Sequence, residues 1–138
     1  MMNLQNPDPE IHALRVFLVE DSEVIRELIV ESLNAIPGVI LVGTSEGEID
    51  ALGKLRNAIC DVLIVDIQLK QGNGLDLLRR IYCEPSNPVK VVLSNHVSPT
   101  YRRLGEQYGA RYFFDKTSEF WRLRLLLAQL SGEANRVN

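Results

Sequence analysis

The chain has 138 residues, 46% of them hydrophobic and 24% charged, a composition that suits one folded domain with its own core. Its 15 Lys and Arg against 18 Asp and Glu give a formal net charge of −3, which argues against a nucleic-acid binder held by general electrostatics. No apolar run approaches the roughly 18 residues of a membrane span, and Met1 to Glu10 lacks the basic and apolar regions of a secretory leader. The expectation is a cytoplasmic protein with a short tail over 1–12, one domain over 13–130 and a polar, frayed tail over 131–138. Cys60 and Cys83 have no metal or C-x-x-C spacing and are expected to be reduced thiols packed as small apolar groups.

Hydrophobic period then switches repeatedly along the chain. Leu14 to Val19 (LRVFLV) reads as a strand. Ser22 to Ala35 places Ile25, Leu28, Ile29 and Leu33 at helical spacing, with Ile36 just beyond, behind a cap at Asp21 or Ser22. Pro37-Gly38 stops that helix. Val39 to Gly43 predicts a second strand, and Glu46 to Ala58 a second helix with Ile49, Leu52, Leu55 and Ile59 on one face. Val62 to Asp66 (VLIVD) is almost wholly apolar, as in a strand buried on both faces. Past the Gly72-Asn73-Gly74 turn, Leu75, Leu78, Ile81 and Tyr82 mark a third helix, and Val89 to Ser94 a fourth strand. Ser98-Pro99 opens a fourth helix through Tyr101, Leu104 and Tyr108, closed by Gly109. Arg111 to Phe114 is a fifth strand, and Thr117 or Ser118 caps a last helix that is apolar from Phe120 and Trp121 to Leu130.

Strands alternating with helices predict a doubly wound α/β domain, its parallel sheet covered on both faces. Ligands of such sheets bind beyond the carboxyl ends of the strands. Those ends carry Glu20 and Asp21, Asp66, Ser94, and Asp115 with Lys116. Each alone has an ordinary role as a helix-start acid, turn residue, capping hydroxyl or solvated amine. Together they are a different matter. Clustered carboxylates repel by roughly a few kcal/mol per close pair, which a lysine, a divalent cation or protonation must offset. Oxygen donors without His or Cys favour Mg²⁺, and Mg²⁺ commonly shares phosphate oxygens. An aspartate can itself be the nucleophile, so the pocket reads as a phosphoryl-accepting acid site.

At this point VFLVEDS, LIVDIQL, VVLSN and YFFDK, in that order, resemble the receiver domains of bacterial two-component response regulators. The resemblance covers about residues 13–130 and implies a flavodoxin-like, five-stranded parallel sheet in the order 2-1-3-4-5 with five helices. It implies Asp66 as the phosphoacceptor, and a Mg²⁺ site made by Glu20, Asp21, Asp66 and the backbone carbonyl of Gln68. Ser94 and Lys116 would contact the phosphoryl group, and Ser94 with Phe113 would form the switch. Gly74 falls at the sharp turn after the acceptor. The donor would be a histidine kinase or histidine phosphotransfer protein, and the output a downstream protein target, with no nucleic acid and no membrane involved. The face of the fourth helix, fifth strand and fifth helix, with Tyr101 and Trp121, would carry signalling contacts or a homodimer. With nearly the whole chain so used, the expectation is a stand-alone phosphoacceptor signalling protein, relay or terminal, and not a metabolic enzyme.

Three positions depart from the family pattern. Lys70 stands where Pro is frequent, Thr117 where a Pro usually follows the lysine, and Asn95 where a small residue is usual and where it narrows access to Asp66. Thr117 puts the geometry of the Lys116–Thr117 peptide in question. Gln68 tunes access of hydrolytic water on this reading, His96 is an exposed loop residue beside the pocket, and His12 suggests nothing. Two alternatives stay open: a phosphorylation-independent scaffold of the same fold, and a small-molecule-binding flavodoxin-like domain. The second is disfavoured because the pocket is acidic and not glycine-rich, and Gly72-Asn73-Gly74 lacks a dinucleotide context.

Overall fold

Val62, Leu63, Ile64 and Val65 are all 0% exposed, which a strand achieves only with a layer packed on each of its faces. The computed structural model, which describes residues 13–84, 87–95 and 97–134, places this strand at the centre of the molecule. The strands are β1 (Leu14–Val19), β2 (Val39–Ser45), β3 (Val62–Val65), β4 (Val89–Ser94) and β5 (Ala110–Asp115). The helices are α1 (Glu23–Asn34), α2 (Glu48–Leu55), α3 (Gly74–Tyr82), α4 (Pro99–Gln107) and α5 (Phe120–Ala134). All strand pairs are parallel and the order is β2-β1-β3-β4-β5, as the doubly wound reading expects. His12 and His96 lie outside the described residues.

Strand alternation divides the core into two layers. Val16, Leu18, Val62, Ile64, Val91 and Leu93 face α1 and α5, which contribute Ile29, Leu33, Leu123, Leu126 and Leu127. Phe17, Val19, Leu63, Val65 and Val92 face the opposite layer, where α2 and α3 supply Ala51, Leu52, Leu75, Leu78 and Ile81, with Leu104 of α4 partly buried beside them. Local chemistry sets the helix starts. Ser22, Asn73 and Ser98 cap α1, α3 and α4 by accepting from the backbone N–H of Ile25, Leu75 and Tyr101, and Pro99 occupies the first turn of α4.

Several sequence expectations are corrected. The buried stripe of α2 is Glu48, Ala51 and Leu52, with Leu55 packed behind, whereas Ile49 and Ile59 are 69% and 70% exposed. The true helical stripe starts on a glutamate, which an apolar pattern discounts. Leu28 and Tyr82 likewise point outward, and on α5 the buried apolar residues are Leu123, Leu126 and Leu127, not Trp121. Helix α5 continues to Ala134, past the boundary drawn at 130. Ser131 is buried there and donates to the Pro37 carbonyl at 3.2 Å, so 131–134 are helical and not frayed. Cys60 is half-buried as expected, but Cys83 is exposed.

Two glycines mark opposite constraints. A Cβ on Gly74 would lie 2.1 Å from the Asp66 carbonyl oxygen, while one on Gly53 of α2 meets nothing within 4 Å. We expect Gly74→Ala to destabilise the fold by about 1–3 kcal/mol. Gly53→Ala is expected to stabilise it by about 0.4–1 kcal/mol. Urea denaturation of both variants tests the pair; equal effects would contradict the packing described.

Candidate functional site

Parallel ladders bring the carboxyl ends of β1, β3, β4 and β5 to one edge, and backbone hydrogen bonds continue just past the strands. Asp66 N donates to the Val19 carbonyl at 3.1 Å, Lys116 N to Ser94 at 3.2 Å and Glu20 N to Ser45 at 2.9 Å. These bonds extend the sheet by one residue at each end, so Glu20, Asp66 and Lys116 sit on rigid backbone. Their side chains converge. Glu20, Asp21 and Asp66 each offer a carboxylate oxygen within 4.8 Å of the others.

Asp66 is buried and both its oxygens are engaged. Ser94 Oγ donates to Oδ1 at 2.8 Å, and the Gln68 backbone N–H donates to the same atom at 3.2 Å. The Lys116 ammonium reaches Oδ2 at 2.5 Å and Glu20 Oε1 at 2.8 Å. Glu20 Oε2 accepts from Ser22 N at 3.0 Å, and Asp21 Oδ2 from Lys70 N at 2.7 Å. Burial alone pushes the Lys116 ammonium down, but hydrogen bonds and charge from Asp66 and Glu20 outweigh it and hold its pKa above the ordinary 10.5.

Charge in the cluster is unbalanced. Three carboxylates meet one ammonium that bonds two of them, and the donors are all oxygen. That donor set fits a hard divalent cation such as Mg²⁺. Glu20, Asp21 and Asp66 are the side chains that would hold it.

Residues 16–128 match the family described as the response regulator receiver domain. The chain belongs to this family. It is 32% identical over 109 residues to protein-glutamate methylesterase/protein-glutamine glutaminase 1 of Syntrophus aciditrophicus, covering 76% of this chain and 31% of that protein. It is 32% identical over 81 residues to protein-glutamate methylesterase/protein-glutamine glutaminase 2 of Pseudomonas syringae pv. tomato, covering 59% and 23%. The chain thus spans under a third of the length of these curated relatives. Among solved structures it is similar to the response regulator domain of Thermotoga maritima CheB, with a TM-score of 0.76 and 21% identity over 92% of this chain and 99% of that one. The signal receiver domain of NarL from Mycobacterium tuberculosis gives a TM-score of 0.76 and 20% identity over the same shares, 92% and 99%. These likenesses show the receiver fold.

In this receiver, Glu20, Asp21, Asp66, Ser94 and Lys116 come together as the sequence predicts. Gln68 joins through its backbone N–H, while its side chain is exposed. Phe113 stands apart from these contacts. It packs against α4, where a Cβ on Gly105 would fall 2.8 Å from its ring, and the Arg102 guanidinium lies 4.7 Å over its centroid. Among the described residues no peptide bond is cis, so Lys116–Thr117 is trans. Thr117 Oγ1 donates to Asn95 Oδ1 at 3.1 Å, a tie between the loops after β4 and β5. The turn into α5 is held not by a Thr117 or Ser118 cap but by Asp115, whose Oδ1 accepts from both of their N–H groups at 2.8 Å.

Two supporting residues escaped sequence reasoning. The Arg26 guanidinium donates to the Glu20 carbonyl at 2.8 Å, and buried Glu48 accepts from Asn73 N at 3.0 Å. Arg26 lies one helical turn past the acidic pair, a weak signal. Glu48 had none, because its burial depends on partners distant in sequence.

The raised Lys116 pKa has a defined pH consequence. Its contribution to stability is complete below its unfolded value, about 10.4, and fades as pH rises through the higher folded value. We expect Asp66→Asn and Glu20→Gln each to lower the pKa, and the double variant to lower it further, since burial then acts without the charge of either partner. Side-chain NMR titration of Lys116 measures this; an unchanged value in both single variants contradicts the assignment.

Proposed function

We propose that this receiver takes a phosphoryl group from a phosphohistidine donor onto Asp66 and signals through phosphorylation-dependent protein binding. The observation that carries the reading is the Asp66 carboxylate itself. It is buried, aimed at the strand edge, and touched by a lysine, a serine hydroxyl and a backbone N–H. An Asp66 oxygen attacks phosphorus, the P–N bond breaks, and its electron pair stays on the donor imidazole. The product is an aspartyl phosphate. A bound Mg²⁺ supplies charge neutralisation for the transferring group. The Gln68 carbonyl completes the metal-binding set on this reading.

Lys116 offsets charge beside the transferring oxygens without reorganising, because β5 and Glu20 already hold it. Ser94 Oγ is free to exchange Asp66 Oδ1 for a phosphoryl oxygen once the carboxylate is consumed. Its movement alters the β4–β5 end of the sheet, where Val92 pairs with Phe113. Phe113 then shifts against Gly105 and Arg102, and the change reaches the α4–β5–α5 face. Tyr101 and Trp121 are exposed there, available to a downstream target or a second copy.

For the donor, the surface beside Lys116 offers an apolar seat. A cavity of about 450 Å³ is lined by Ile25, Leu28, Ile29, Asn95, Lys116, Thr117 and Phe120. Leu28, misplaced in the core by its spacing, is 57% exposed on this rim. A donor helix packed on Leu28 and Phe120 brings its histidine toward Asp66.

Incubation with acetyl phosphate and Mg²⁺ tests the reading. Intact mass spectrometry is expected to show one phosphoryl gain for wild type and none for Asp66→Asn. Lys116→Ala should slow uptake by about 10²-fold or more. No gain in wild type, with no beryllofluoride binding, would favour the scaffold alternative. Equal gain in Asp66→Asn would place the acceptor elsewhere.

A further inference from the structure

Among the described residues, two buried charged side chains lie outside the acidic site, Lys90 and Glu48. Lys90 Nζ is taken by Asn87 Oδ1 at 2.8 Å near the start of β4, at the far end of the sheet. Glu48 is different. It opens α2, and its two carboxylate oxygens and its backbone N–H are all turned toward the segment that follows Asp66.

Its Oε1 accepts from the Asn73 backbone N–H at 3.0 Å, and its Oε2 meets Arg80 Nε at 3.0 Å. Its own N–H donates to the Gln71 carbonyl at 3.0 Å, beside the Gly47–Gln71 bridge. The turn is shaped around this side chain. Gly72 has φ +88°, and a Cβ there would fall 2.4 Å from the Glu48 Cβ. Asn73 in turn pairs with Gln68 in an antiparallel bridge, and Gly74 N donates to the Ile67 carbonyl at 2.8 Å. The same loop gives the Gln68 N–H to Asp66 and the Lys70 N–H to Asp21. Two of the three clustered carboxylates are therefore oriented by a loop whose far end is tied to Glu48.

We propose that Glu48 is a positioning residue of the acidic site: its buried carboxylate fixes the Gln71–Asn73 turn and, through the Asn73–Gln68 pairing, sets how Asp21 and Asp66 are held for a divalent cation. The inference rests on the phosphoacceptor reading and deepens it. Groups that orient metal-binding residues commonly control affinity without touching the ion. Reach matters here more than charge. A glutamine keeps an acceptor where Oε1 stands, whereas an aspartate keeps the charge but falls one methylene short of Asn73 N.

Mg²⁺ titration by calorimetry and backbone NMR of the full chain separates these cases. Glu48→Asp is expected to raise the Mg²⁺ dissociation constant about tenfold, while Glu48→Gln stays within about threefold of wild type. Gly72→Ala displaces Glu48 from the other side and should reproduce the aspartate variant; this arm stands even if Glu48→Asp does not fold. The Asn73 and Gln68 amide resonances should move in the two weakened proteins and stay near wild type in Glu48→Gln. Unchanged affinity in Glu48→Asp and Gly72→Ala overturns the proposal, as does equal weakening by Asp and Gln. A wild-type protein that binds no Mg²⁺ overturns the phosphoacceptor reading itself, a distinct result.

Discussion

Three carboxylates gathered within 4.8 Å at a sheet edge repel by about 3–4 kcal/mol per pair at an effective dielectric near 20, and the Lys116 ammonium between Glu20 and Asp66 offsets that repulsion. Its reach is set by backbone, because the residue hangs from β5 by a hydrogen bond to the last residue of β4. One side chain therefore joins the ends of β1, β3 and β5. Burial on its own disfavours an ammonium there, so the lysine and the acids are mutually dependent.

The surrounding architecture follows from delivering those groups to one place. A strand as short as β3 carries Asp66 just past its carboxyl end because both its faces are covered, which leaves the strand's ends as the outlets for polar side chains. The chain must then turn sharply into α3, and Gly74 permits the contact with the Asp66 carbonyl that this turn requires. In the proposed chemistry, the same economy serves signalling. Ser94 is the end of β4 and a partner of Asp66, so any change at the carboxylate is felt by a strand paired with β5 and Phe113.

Much of this was legible in the sequence, for physical reasons. Runs such as VLIV and VFLV are apolar on both faces, and caps, prolines and glycines punctuate the helices, so element order and strand ends could be read directly. The site residues were legible because they sit at strand ends, where topology gathers them. What was hidden depends on long-range partners. In α2 the pattern favoured Ile49 over Glu48, since nothing local reveals that Asn73 and Arg80 satisfy a buried carboxylate. Leu28 looked like core but lies on a rim of exposed apolar surface. The last turn of α5 reads as a polar tail until Ser131 finds the Pro37 carbonyl.

The claim that joins these features is that Asp66 is the reactive group of the cluster. Borohydride reduction of the acetyl-phosphate-treated protein, followed by peptide mass mapping, tests it at the level of the bond. An acyl phosphate on Asp66 is reduced to homoserine at position 66, and the account predicts that product there and at no other acid. Reduction of Asp21 to homoserine or of Glu20 to δ-hydroxynorvaline, or no reduced acid at any position in a protein that has gained a phosphoryl group, would contradict it.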